Sequence, residues 1–161
     1  MATRCNISRV VACQLLHEGV VDGRGMAVTL YRGVDYPMID SANIAYYPRI
    51  YDLAHRFFED CWQEICSVSY PEIINSRRIG FPIVSVNTEF MAPLRYGDTI
   101  KAVIWISRVG EKSCTWQYRF FNQDEELLWN SEQITVCMDM ESLQSIVIPD
   151  DLRLGLEGCV E

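Results

Sequence analysis

Between Met26 and Tyr36 the stretch MAVTLYRGVDY carries Val28, Leu30, Val34 and Tyr36 at even spacing, the period of a half-buried β-strand. From Tyr47 to Cys66 the period changes. Ile50, Leu53, Ala54, Phe57, Phe58, Cys61, Trp62 and Ile65 recur at intervals of three and one, which predicts one long amphipathic α-helix, with Pro48 suited to its first turn. Asp52, Arg56, Glu59, Asp60 and Glu64 fall mainly off the apolar stripe and read as a solvated face. After about Phe81 the pattern returns to alternation. PIVSVNTEFMAPL, TIKAVIWISRV, SCTWQYRFFN and LLWNSEQITVCMDM read as successive strands parted by the polar turns RYGD, GEK and QDEE. The predicted architecture is α+β, one long helix against an antiparallel sheet of about five strands. SIVIPDDLRLGLEGCVE reads as an acidic tail.

The chain has 161 residues, enough for one domain with a sizeable core. A formal net charge of −8 argues against nonspecific binding to nucleic acid or to an anionic membrane surface. Seven cysteines without CxxC pairs, and no signal-peptide core, suit a reducing, cytoplasmic setting. The opening MATRCNISRVVACQLLH faintly resembles an organellar transit segment but reads more simply as an N-terminal extension, residues 1–25. Trp105, Trp116, Phe120, Phe121 and Trp129 outnumber what a single helix can be expected to cover, which suggests a second subunit against the sheet.

Familiar catalytic signatures are absent: there is no GxSxG, P-loop, dinucleotide-binding glycine pattern, HExxH or zinc-type cysteine spacing. No metal or redox cofactor is expected. His17 and His55 are the only histidines. Asp40, in IDSANIAYYP, stands out because it lies between a strand and the long helix, near unpaired N–H groups and the positive end of the helix dipole. It is several residues too early for a simple helix cap, so SANIAY forms a loop in which the carboxylate can attack, or deprotonate water for, a carbonyl held at the helix start.

DSANIAYYPRIYDLAHRFF resembles the signature of the 4-hydroxybenzoyl-CoA thioesterase branch of the hotdog superfamily, and IGFPIVSVNTEFMAPLRYGDTI resembles the strand that follows the helix there. The resemblance covers roughly Val28 to Leu152, and the domain is bounded at residues 26–152 with a tail at 153–161. It implies a curled sheet wrapped around one helix, a homodimer or homotetramer that shares its sites, and hydrolysis of an acyl or aroyl thioester, with coenzyme A only as part of the substrate. It implies Asp40 as nucleophile or general base and the backbone N–H of Tyr47 as the group polarising the carbonyl. Lys112, in the turn resembling the basic coenzyme A clamp, is implied to bind the carrier.

Three departures qualify the substrate. Asn43 replaces a glycine, yet remains able to adopt a left-handed backbone. His55 replaces an acid that grips a phenol, so the pocket is expected to accept acyl groups with a carbonyl, a carboxylate or no polar tail. In the turn that resembles the basic coenzyme A clamp, the positions neighbouring Lys112 are Gly110 and Glu111, which leaves an acyl carrier protein as an alternative carrier. A noncatalytic acyl-thioester binding module is the alternative of a different class, and a dehydratase is disfavoured because no histidine precedes the helix.

Overall fold

The computed structural model describes residues 27–160; the N-terminal extension and His17 lie outside them. The elements are β1 (Val28–Gly33), a 3₁₀ turn (Tyr36–Met38), α1 (Tyr47–Cys66), α2 (Tyr70–Asn75), β2 (Ile79–Gly80), β3 (Ile83–Phe90), β4 (Thr99–Val109), β5 (Ser113–Phe121), β6 (Leu127–Val136), β7 (Met138–Asp139) and α3 (Asp150–Glu157). The main sheet has five antiparallel strands in the order β1-β4-β5-β6-β3. Register shifts at Ile83/Ser85, Ile106/Arg108 and Phe120/Phe121 mark bulges, which bend and twist strands locally.

The long helix forms where the period of three and four predicts it, and its stripe of Ile50, Leu53, Ala54, Phe57, Phe58, Cys61 and Trp62 is buried. The alternating face of β4 and β5 receives it. Phe57 meets Phe120 at 5.3 Å between ring centroids, and Phe58 meets Trp116 at 4.9 Å. Trp116, Phe120 and Trp129 are therefore covered within the chain, and Trp105 lies on the opposite sheet face beneath the Arg119 guanidinium. The sheet aromatics do not supply the surplus apolar surface expected of them. That surface lies on β3, an edge strand whose Ile83, Val84, Val86 and Phe90 are all exposed.

Two helices were not legible in the hydrophobic pattern. Ser69 caps α2 by accepting the Glu72 N–H, the Ser-x-x-Glu arrangement of a capping box. The stretch read as an acidic tail contains α3, which has Asp150 and Asp151 in its first turn and buries Leu152 and Leu156. Arg153 of α3 donates to the carbonyls of Gly110 and Glu111 at 2.9 and 2.8 Å, and the Ile106 N–H donates to the Cys159 carbonyl just beyond the helix. α3 thus closes the end of the sheet at which α1 terminates.

Close approach of α3 to α1 depends on Gly155. A Cβ there would lie 2.6 Å from Cys66 Sγ and 2.7 Å from the Ile65 carbonyl oxygen. A backbone oxygen cannot rotate away, so Gly155→Ala should destabilise the protein by about 1–3 kcal/mol, the usual range for overpacking. Urea denaturation would check this; an unchanged midpoint would mean that α3 is held less tightly than the geometry implies.

Candidate active site

Asp40 sits on a tight hairpin immediately before α1. The Asp40 N–H donates to the Ile44 carbonyl at 2.9 Å, Ile39 bridges Ala45, and the Tyr46 N–H donates to the Met38 carbonyl at 2.8 Å. Asn43 turns the chain with φ of 61°, the left-handed conformation that asparagine tolerates. Asp40 Oδ1 accepts the Ala42 N–H at 2.8 Å, which orients the carboxylate, and among the described residues no cation pairs with it. It does not cap the helix: the N-cap is Tyr46, without a side-chain bond.

Tyr47 is the first residue of α1, so its N–H has no acceptor within the helix. The first turn of α1 contains no acidic side chain, so no carboxylate of that turn offsets the positive end of the helix dipole; its one charged side chain, Arg49, pairs with Asp52 at 2.9 Å. The Ala45 N–H, two residues earlier, is anchored to the Leu94 carbonyl at 2.8 Å, which ties the hairpin and the helix start to the segment joining β3 and β4. Asp40 and Tyr47 are thereby carried on one braced unit.

His55 lies two helical turns further on, half-exposed. Its Nε2 is 3.3 Å from Glu59 Oε1, and its ring stacks on Phe58 and meets the edge of Tyr70. Lys112 is in the β4–β5 turn, where Nζ donates to the Ser145 carbonyl at 3.2 Å. It is remote from Asp40 within the chain. The hairpin adjoins the Thr99 end of β4 through Val34, whose N–H donates to the Asp98 carbonyl. Lys112 follows the Val109 end, about 30 Å away at roughly 3.4 Å per strand residue.

The described cysteines are poor nucleophiles. Burial pushes the Cys66 thiol up to about 12 and the Cys137 thiol up to about 11, and burial also raises Cys61 and Cys114. They stay protonated near neutrality, when only the thiolate attacks. Among the described residues no three His, Cys, Asp or Glu side chains converge as a metal set, and no helix is long and apolar enough to cross a membrane.

A helix laid along a five-stranded antiparallel sheet, with a carboxylate hairpin at the helix N-terminus, is the hotdog arrangement. Residues 33–156 match the thioesterase-like superfamily, and the chain belongs to it as an acyl-CoA thioesterase-like hydrolase. A 1,4-dihydroxy-2-naphthoyl-CoA hydrolase of Thermosynechococcus vestitus is 22% identical over 81% of this chain and 88% of its own. The solved structure of a gentisyl-coenzyme A thioesterase is 25% identical, with a TM-score of 0.72 over 78% of this chain and 99% of that one. A thioesterase-superfamily structure from Jannaschia sp. reaches a TM-score of 0.78 at 22% identity, over 84% of this chain and 94% of that one.

Thiol burial generates a direct expectation. Iodoacetamide applied to the native protein at pH 8 should leave Cys61 and Cys114 unmodified in a peptide map and leave hydrolysis undiminished. Alkylation of either in the folded state would contradict the protonated, sealed thiols described here.

Proposed function

We propose that the protein hydrolyses an acyl- or aroyl-CoA thioester using Asp40 and the N-terminus of α1. The observation that carries this reading is the braced hairpin, which holds an unpaired carboxylate beside a helix start that has no capping side chain. With the thioester carbonyl oxygen at the Tyr47 N–H, the developing oxyanion is stabilised by that N–H and by the helix dipole. Asp40 supplies the attacking oxygen or activates the water that does. The carbon–sulfur bond breaks to release a thiolate, a good leaving group, so a strong general acid is unnecessary. The names of the relatives, naphthoyl and gentisyl thioesterases, support a coenzyme A carrier and an aromatic acyl group.

The working unit in this reading is a homodimer joined along β3. Unpaired strand edges recruit further strands, and two-fold pairing is the commonest way for identical chains to satisfy them. The Phe90 end of β3 leads through Leu94 to the hairpin; the Ile83 end pairs with Thr135, two residues before Cys137, whose N–H donates to the Lys112 carbonyl. Antiparallel pairing of two β3 edges therefore brings the Lys112 turn of one copy toward the Asp40 hairpin of the other. A lysine remote from the carboxylate within one chain can then meet the coenzyme A phosphates across the interface.

Two substitutions separate the chemical roles. Asp40→Asn should retain the fold and lower turnover by about 10² to 10⁴, the range for a positioned acid–base group. Tyr47→Pro removes one N–H at a position where proline suits a helix, and should cost about 10² to 10³ in turnover, whereas Tyr47→Ala keeps the N–H and most of the rate. Wild-type rates in Asp40→Asn and Tyr47→Pro, followed by thiol release from aroyl-CoA, would remove both groups from the mechanism.

A lysine at Val86 would face its own copy across the proposed interface. Val86→Lys should shift the protein to monomer in sedimentation velocity and reduce thioester hydrolysis at least tenfold. A fully active monomer would refute the shared site.

A further inference from the structure

The inner face of β6 departs from the pattern of a core strand. Trp129, Ser131, Gln133 and Thr135 all point toward the helix layer, and the last three are polar at 3%, 3% and 1% exposure. Burying such groups is costly unless each finds a partner. Thr135 is fully used, since its hydroxyl accepts from Trp116 Nε1 at 3.0 Å and donates to the Cys114 carbonyl. Ser131 shares one hydrogen bond with Thr88 of β3 at 2.9 Å. Gln133 has two donors and two acceptor sites on its amide, yet it makes one long contact, Nε2 to Ser131 Oγ at 3.4 Å. Trp129 Nε1 is buried with no partner among the described residues.

Two ring contacts fix where this polar strip lies. Tyr51 meets Trp129 at 6.0 Å, and Phe58 meets Trp116, the cross-strand neighbour of Gln133. α1 thus runs past β5 and β6 along the level from Trp129 to Gln133. Tyr47, Tyr51 and His55 are spaced by four and share that flank of α1. On the other side of the strip, Val86, Thr88 and Phe90 of β3 share the register of Gln133, Ser131 and Trp129. From Tyr47 to His55 is about 12 Å along the helix axis, so an acyl group extending from the proposed carbonyl site toward His55 passes along the strip.

We propose that Ser131 and Gln133, with Thr88, are specificity-determining residues that read hydrogen-bonding oxygens along the body of the acyl group, not only at its far tip. The inference rests on the thioesterase reading above. The uncommitted Gln133 amide offers both a donor and an acceptor, and the Ser131–Thr88 hydroxyl pair offers either, so ring hydroxyl and carbonyl oxygens are both served. An acyl group without such oxygens leaves these groups unpaired, which a site built for hydrogen bonding penalises.

The test compares the three monohydroxybenzoyl-CoA isomers with benzoyl-CoA in the wild type, Ser131→Ala, Gln133→Leu and the closely sized Gln133→Met. The wild type should favour its best hydroxylated isomer over benzoyl-CoA, and each variant should lower that preference in kcat/KM about tenfold, by a loss on the hydroxylated isomer, a gain on benzoyl-CoA, or both. Equal losses for both substrates, or an unchanged ratio, would overturn the proposal. Binding of the free hydroxybenzoates and of benzoate, followed by tryptophan fluorescence, provides a readout without chemistry. A hydroxyl preference in binding that is lost in the Gln133 variants, in a protein that hydrolyses none of the thioesters, would uphold the strip and reject the thioesterase reading. No binding preference in the wild type would reject the strip.

Discussion

The structure depends on one contact zone, the burial of the α1 stripe against the aromatic face of β5. Phe57 on Phe120 and Phe58 on Trp116 lock the helix in rotation and in position along the strand, while Trp62 packs on both Trp116 and Phe81. Each fully buried large side chain contributes on the order of 1.5–3 kcal/mol, so the zone is a large part of what holds a domain of this size together. Its consequence is directional. Once the helix is fixed along the sheet, its N-terminus emerges where β1 and β4 meet the hairpin, and a backbone N–H becomes a positioned group without any side chain being assigned to the task.

The helix and the five strands were legible because their periods are strong and their turns are polar. The predicted helix and the observed Tyr47–Cys66 have the same limits. α2 was hidden because its six residues are too short for periodicity to register, and its cap was the only signal. α3 was hidden because Gly155 interrupts it and Leu154 is exposed, so only Leu152 and Leu156 mark its buried side. The exposed apolar surface was misassigned to the sheet aromatics because composition cannot distinguish an aromatic covered by a helix from an apolar side chain left open at an edge.

The candidate site was legible to a different degree. Asp40 and Tyr47 share one short motif, so local sequence carries their relationship, and the left-handed Asn43 fits the turn that the motif needs. Lys112 lies on a separate turn, and only the sheet register reveals that it stands at the opposite end of its own chain. Ser131 and Gln133 had a signal in the sequence that went unused. In LLWNSEQITV they share the parity of Trp129, so three polar residues stand on the side of the strand that should be apolar.

Closure of the sheet end by α3 bears on how the chain matures. Gly155 seats against Ile65 and Cys66, and the Cys159 carbonyl takes the Ile106 N–H, so residues made late complete contacts with residues made much earlier. During synthesis α1 emerges well before the strands β4, β5 and β6 that cover its apolar stripe, and α3 emerges after all of them. The nascent chain therefore carries an uncovered amphipathic helix until those strands have been made, and native closure waits for the α3 segment. Contacts this distant in sequence form slowly, and apolar surface left open during such an interval favours aggregation.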